Sequence, residues 1–96
     1  MSEQYEFMFG GKRYFIRSEM IDGLEMYLKE RIPPGDFLRA ILENDFVQAI
    51  GRADAGNLQN IQAYSAWLYN EAPMECWGSK EKVDQWLKAP IPEEVI

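Results

Sequence analysis

The segment YEFMFGGKRYFI, residues 5–16, constrains the fold more than any other part of this 96-residue sequence. Aromatic and other large apolar side chains recur at every second position on both sides of Gly10 and Gly11. This pattern predicts a β-hairpin closed by a two-residue turn, since both residues of such a turn need positive φ. The predicted register contains three pairs on one face: Tyr5 with Ile16, Phe7 with Tyr14, and Phe9 with Lys12.

The predicted hairpin has one strongly apolar face. A two-stranded hairpin is only marginally stable by itself in water. The residues on this face are Tyr5, Phe7, Phe9, Tyr14 and Ile16. We therefore expect the aromatic face to pack against the helices that follow it or against a second subunit.

The rest of the chain has the apolar periodicity of about four helices, separated by helix breakers and capping residues. Their predicted limits are Ser18 to about Ile32, Pro34 to about Ala53, Asp54 or Asn57 to Pro73, and Ser79 to Lys88. At 100° per residue the second helix has one apolar face: Leu38, Leu42, Phe46, Ala49, Ile50 and Ala53. The third has a stripe of Leu58, Ile61, Ser65, Leu68 and Ala72, flanked by Tyr64 and Tyr69.

These elements predict one small domain over residues 1–96. Its fold class is α+β and mostly α, with the N-terminal hairpin packed on a compact cluster of about four helices. The hairpin occupies residues 5–16, the helical part residues 18–88, and an extended tail with two prolines residues 89–96. With 47% apolar and 14% aromatic residues, the chain can build a core.

The location of the protein is also predicted from the sequence. No apolar run approaches the roughly 20 residues needed to span a bilayer, so no membrane association is expected. The N-terminal residues MSEQYEF lack the basic and apolar regions of a signal peptide. We expect a cytoplasmic protein, in a host cytoplasm if the gene is viral.

The net charge of −6 bears on the class of partner. A general nucleic-acid binder needs a basic surface that displaces counterions, so this class is disfavoured. An acidic surface suits solubility and a basic protein partner.

The chain has no histidine and a single cysteine, Cys76. The commonest general base, the commonest zinc ligand and every nucleophile–histidine pair are therefore excluded. We expect no metal, no cofactor and no catalytic residues; the enzyme alternative rests on the carboxylates Asp45 and Glu43. Cys76 lies beside Glu75, which opposes thiolate formation, so we interpret it as a small buried apolar residue.

A polar strip is predicted along one flank of the second helix: Asn44, Asp45, Gln48 and Arg52. It has two interpretations. These side chains offer charges and amides for a polar ligand. We prefer the structural interpretation, in which Asp45 caps a neighbouring backbone or pairs with Arg52. On the same predicted helix, Asp36, Arg39 and Glu43 are read as an exposed ion-pair ladder.

The hairpin supplies a second set of candidate binding residues. Tyr14 lies near Arg13 and Arg17 in the sequence, with Lys12 at the turn. Aromatic rings beside cations can stack a base or nucleotide. The alternative, which we prefer, is that this face is core for the helices.

Several motifs between residues 32 and 87 resemble those of a family of small uncharacterised proteins encoded by bacteriophages and prophages. They are FLRAILENDF, GRADAGN, the YN pair before the loop, and CWGS followed by a tryptophan. The hairpin and the first helix lie outside this likeness. The resemblance implies a phage origin and a helical fold, and it supplies no activity or catalytic residue.

These observations leave three candidate functions. We expect a small, non-catalytic phage-type binding protein that blocks or modulates a host defence protein by direct binding. The alternative is an oligomeric sponge that sequesters an anionic signalling nucleotide used in host defence. A carboxylate-based enzyme is the third. In either binding role we expect a homo-oligomer.

Overall fold

The fold is a β-hairpin followed by six α-helices, and the computed structural model describes it over residues 4–91. The strands are β1 (Tyr5–Phe9) and β2 (Lys12–Ile16). The helices are α1 (Ser18–Glu30), α2 (Asp36–Leu42), α3 (Phe46–Arg52), α4 (Ala55–Gln59), α5 (Ile61–Glu71) and α6 (Lys80–Lys88), with a 3₁₀ turn at Met74–Cys76 before α6. The predicted class, α+β and mostly α, is confirmed.

The hairpin has the predicted register. Tyr5 lies opposite Ile16, Phe7 opposite Tyr14 and Phe9 opposite Lys12 in an antiparallel pair. The turn residues Gly10 and Gly11 have φ of 59° and 76°. Both values lie in the left-handed region that a side chain disfavours, which explains the glycine pair.

The aromatic face of the hairpin packs on the helices, and α5 contacts both strands. Ile16 is fully buried, while Tyr5, Phe7 and Tyr14 are half-buried against the core. Phe9, at the tip, remains exposed. The backbone N–H of Phe15 donates to Asn60 Oδ1 at 2.8 Å, which fastens β2 to the junction of α4 and α5.

The core is built from side chains of β2, all helices except α4, and the 3₁₀ turn. Its largest fully buried members are Tyr27, Tyr64, Ile16, Leu24, Leu42, Val83 and Cys76. Two tyrosine hydroxyls lie within it and both are hydrogen-bonded. Tyr27 Oη donates to the carbonyl oxygen of Cys76 at 2.7 Å, and Tyr64 Oη donates to Asn57 Oδ1 at 2.7 Å. Both buried hydroxyls are thereby satisfied.

The prediction of one continuous helix from Pro34 to Ala53 is wrong. The chain leaves the helix after α2, with Asn44 in the left-handed region at φ 60°. The N–H of Asn44 donates to the carbonyl of Ile41, and that of Asp45 to the carbonyl of Ala40. This is a Schellman motif, in which an asparagine can replace the usual glycine. Asp45 then caps α3, so its backbone N–H closes the end of α2 and its carboxylate begins the next helix.

The predicted third helix is also split in two, at Asn60. Asp54, one of the two residues predicted as the cap, does cap α4. Its Oδ1 accepts the N–H of Asn57 at 2.7 Å. Leu58 was expected to face the core, yet it is exposed. Tyr64 was expected at the flank, yet it is almost completely buried. Asn60, at φ −113° and ψ 22°, interrupts the helix after Gln59, so the periodicity of one continuous helix does not apply.

The remaining helix ends are partly as predicted. Ser79 Oγ accepts the N–H of Lys82 at 3.1 Å and caps α6, as expected. Ser18 is not a cap, because it is already the first residue of α1 and Arg17 precedes it. The helix ends at Glu30 rather than near Ile32, since Arg31 is left-handed at φ 57°. Of the predicted extended tail, residues 92–96 lie outside the described residues.

The ion-pair ladder on α2 has a different composition from the prediction. Arg39 Nε pairs with Glu43 at 2.9 Å, and Arg39 Nη2 pairs with Asp84 on α6 at 2.7 Å. Asp36 takes no part in these contacts. The pairs are partly buried rather than fully exposed, and both carboxylates raise the pKa of Arg39, Glu43 most strongly. This network ties α2 to α6.

Candidate functional site

An apolar groove with a volume of about 250 Å³ lies between the α2–α3 break and α5. Its lining residues are Ala40, Ile41, Asn44, Asp45, Phe46, Ala49, Ile61, Ser65, Leu68, Tyr69 and Trp77. We call it the Phe46–Tyr69 groove. Its floor comes from the helices of the core, and its most exposed walls are two aromatic rings.

Two aromatic side chains on the walls of this groove, those of Phe46 and Tyr69, are largely exposed to solvent. Phe46 is 72% exposed and Tyr69 is 82% exposed. In a continuous helix, Phe46 would lie one turn beyond the buried Leu42 on the same face. The left-handed Asn44 removes that relation and turns Phe46 outwards. An aromatic side chain left in water at such a position is available to a partner.

The rim of the groove contains two of the predicted site residues, Asn44 and Asp45. Asp45 Oδ1 accepts the N–H of Gln48 at 3.3 Å, the capping role of the structural interpretation. Arg52 does not pair with Asp45; its Nη1 donates to the carbonyl oxygen of Asp36 at 3.2 Å. Gln48 and Arg52 do not line the groove, so the four residues do not form the predicted strip on one helix.

Arg13 and Tyr14 lie elsewhere, in a polar concavity beside the α4–α5 junction that Lys12 also lines. Arg13 pairs with Glu6 across the hairpin at 3.4 Å, and this pair is exposed. Tyr14 packs partly against the core.

Arg17 forms a third, separate cluster with two carboxylates. It contacts Asp54 and Glu19, each at 3.1 Å. The hydrogen bond to Asp54 is the main reason that the pKa of Arg17 is raised. The pKa of Asp54 is lowered, first by the N–H of Asn57 and then by Arg17. Five of the seven predicted site residues are therefore distributed over three places, and Gln48 and Arg52 lie in none of them.

Cys76 is fully buried in the 3₁₀ turn, as the sequence interpretation predicted. Burial, with a smaller effect of Glu75, raises the pKa of its thiol to about 11. The thiol therefore stays protonated at neutral pH and is a poor nucleophile.

The burial of Cys76 gives a direct prediction about thiol labelling. In the native protein at pH 8, Ellman's reagent is expected to release almost no thionitrobenzoate, because reaction requires the core to open. In denaturant, one equivalent per chain should react, since Cys76 is the only cysteine. Rapid release of one equivalent from the native protein would contradict a sealed core.

Within residues 4–91, no group of three His, Cys, Asp or Glu side chains is arranged to hold a metal ion. No helix there has the length and apolar character needed to cross a membrane.

Comparisons with protein-family models, with curated proteins and with solved structures found no match to this chain. The site must therefore be interpreted from its own geometry.

The sequence reasoning missed the groove because it placed Phe46 in the core and Tyr69 at the edge of a buried stripe. The signal that was present is the Asn44–Asp45 pair. Asparagine tolerates the left-handed conformation and aspartate favours the N-cap, so the two together indicate a helix end followed by a helix start.

Asp45 is expected to matter for stability through its cap. Asp45→Ala should lower the free energy of unfolding by about 1 kcal/mol, because the N–H of Gln48 loses its acceptor. Asp45→Asn should stay close to the wild type, since asparagine caps equally well. Urea denaturation measures both. If Asn lowers stability as much as Ala, the carboxylate charge, rather than the cap, is the stabilising feature.

Proposed function

We propose that this chain is a non-catalytic binding protein that blocks a host protein, in the host cytoplasm, by engaging it through the Phe46–Tyr69 groove. The observation that carries the proposal is the exposure of two large aromatic side chains on the walls of one apolar groove. The phage origin implied by the sequence resemblance belongs to the same proposal, with a defence protein as the intended target.

The physical support comes from how protein interfaces obtain their affinity. Aromatic anchors that become fully desolvated contribute most of the binding free energy at such surfaces. The indole N–H of Trp77, also in the groove wall, is buried and has no acceptor within residues 4–91. Asp45 at the rim and the net charge of −6 favour a partner segment that is apolar and flanked by basic residues.

The nucleotide sponge is a second candidate because Lys12 and Arg13 share one polar concavity. Amide side chains of Gln59 and Gln62 line it as well. Other cations are less available. Arg17 is paired with Asp54 and Glu19, and Arg39 with Glu43 and Asp84. We therefore place this function second.

The proposal is tested by partner capture from host cells with matched surface variants. Phe46→Ser and Tyr69→Ser should each lose the co-purified partner, whereas Val47→Ser should retain it. Val47 is a suitable control because it follows Phe46, is 73% exposed and does not line the groove. All three should fold, since none of these side chains is buried. Equal capture by Phe46→Ser and the wild type would rule out the groove as the site.

A thermal shift screen separates the two candidate functions. Under the proposed function, cyclic and adenine nucleotides leave the melting temperature unchanged. A rise of several degrees that is abolished by Lys12→Ala with Arg13→Ala would instead support the sponge.

A further inference from the structure

The two edges of the hairpin are not equivalent. A two-residue turn makes Phe9–Lys12 a hydrogen-bonded pair, and hydrogen-bonded pairs alternate along an antiparallel ladder. The backbone groups of Glu6 and Met8 therefore point away from β2. On the other strand, those of Arg13 and Phe15 point outwards. The bond from the Phe15 N–H to Asn60 agrees with this assignment and closes part of the β2 edge.

The β1 edge is open within the described chain. No backbone hydrogen bond joins the outward groups of Glu6 or Met8 to any other residue between 4 and 91. Both residues are exposed. An unpaired edge of this kind is a template for another strand, unless a charge, proline or bulge blocks it. Residues 5–9 contain no proline, and their regular pairing with β2 contains no bulge. Their one charged residue, Glu6, is paired with Arg13 of β2.

We propose that β1 pairs antiparallel with β1 of a second copy around a twofold axis at Phe7, which joins two hairpins into a four-stranded sheet. Glu6 and Met8 carry the outward groups, so a twofold axis that pairs these two residues with each other or with their own symmetry mates lies at Glu6, at Phe7 or at Met8. An axis at Glu6 places two like charges directly opposite each other. An axis at Met8 places Glu6 opposite the turn residue Gly10. Only the axis at Phe7 pairs all five strand residues.

In this register the side chains are complementary on both faces. On the aromatic face, Phe7 meets its symmetry mate, and Tyr5 of each copy meets Phe9 of the other. On the opposite face, Glu6 lies beside Met8 of the second copy, whose own cross-strand neighbour is Arg13. Carboxylates are thus placed towards cations, and aromatic cross-strand pairs stabilise the sheet.

The spacing of the helices also suits this arrangement. Two hairpins related by the axis lie two strand separations apart, or about 9.5 Å. Since α5 packs over each hairpin, two α5 helices would be separated by a distance typical of packed helices, about 8–10 Å. The surface of α5 beside Phe7 and Phe9 contains the small residues Ser65 and Ala66. The second copy would cover the part of this concavity next to Phe7 and Phe9.

Charge variants at Met8 test the register by sedimentation equilibrium of the full chain. Met8→Lys places a cation opposite Glu6 of the other copy twice per dimer and should tighten the dimer; Met8→Glu should weaken it. The expected changes in Kd are about two- to thirtyfold in opposite directions. If the new charge acted only within its own hairpin, the order of the two variants would reverse. Residue 8 lies opposite Arg13 there, so glutamate would be favourable and lysine unfavourable. A monomer at all concentrations up to the millimolar range, or the reversed order, overturns the proposal.

Cysteine variants test the axis independently. Phe7→Cys places two thiols at a non-hydrogen-bonded pair, where the Cα atoms are about 4.5 Å apart and a disulfide can form. Diamide, which takes up the two electrons and two protons, should convert this variant to a covalent dimer. Phe9→Cys is the control, since its thiol would face Tyr5, and Cys76 is buried in both. Equal cross-linking of the two variants would overturn an axis at Phe7. Circular dichroism verifies that each is folded.

Discussion

Tyr27→Ala is expected to lower the free energy of unfolding by about 3–5 kcal/mol, a large part of the stability of a domain of this size. Tyr27 is fully buried, and its ring lies 6.4 Å from that of Trp86. Alanine would leave a cavity between α1, the 3₁₀ turn and α6. It would also remove the donor to the carbonyl oxygen of Cys76. Chemical denaturation followed by tryptophan fluorescence measures the loss.

Tyr27→Phe separates the hydroxyl from the ring. It should cost about 1–3 kcal/mol, because the carbonyl of Cys76 stays buried without its partner. Tyr69→Phe is the matched control: the same hydroxyl is removed from an exposed tyrosine, and no measurable change is expected. If both tyrosine-to-phenylalanine variants behave alike, the Tyr27 hydrogen bond does not contribute to stability.

The Tyr27 bond also links the core to the Phe46–Tyr69 groove. The chain around Trp77, which lines the groove, is held on both sides. Tyr27 holds the carbonyl of Cys76, and the N–H of Gly78 donates to the carbonyl of Leu42 at 2.8 Å. A rigid groove wall loses less entropy on binding than a mobile one. Under the proposed function, Tyr27→Phe should therefore weaken partner binding although it lies outside the groove.

The parts of this fold that follow from the sequence are those decided locally. The hairpin register was predictable because Gly10 and Gly11 leave few alternatives to a turn with positive φ at both positions. Ser79 was predictable as a cap because this interaction is also local: its hydroxyl accepts a backbone N–H only three residues away. Neither feature requires knowledge of the rest of the molecule.

The helix breaks were not predicted, because apolar spacing continues through both of them. Leu42 and Phe46 are four residues apart, the separation expected for neighbours on one helix face. Periodicity reports this spacing whether or not the helix is continuous. The groove depends on the break at Asn44, so the candidate site could not be located by periodicity alone. In the sequence, Phe46 was visible only as a member of the apolar face of its helix, and Tyr69 only as a residue that flanks an apolar stripe.

Tyr64 and Asn57 form the second buried polar pair, and Tyr64→Phe is expected to cost about 1–3 kcal/mol. The variant leaves Asn57 Oδ1, on a residue only 5% exposed, without its donor. Asn57→Ala should cost a similar amount, because the hydroxyl of Tyr64 then lacks an acceptor. The ring of Tyr64 still packs edge-on against Phe37 at 5.1 Å in Tyr64→Phe. The loss thus reports the polar contact.

A double-mutant cycle and the pH dependence test this pair. The double variant should cost less than the sum of the two single changes, since it leaves no unpaired partner. Burial raises the pKa of Tyr64 above its ordinary value of 10.0. Its stabilising effect is therefore fully present below pH 10 and lost as the pH rises further. Above pH 10 the wild type should lose stability more steeply than Tyr64→Phe, by up to about 1.4 kcal/mol per pH unit. Parallel pH profiles, with additive single changes, would show that the hydroxyl of Tyr64 is not buried against Asn57.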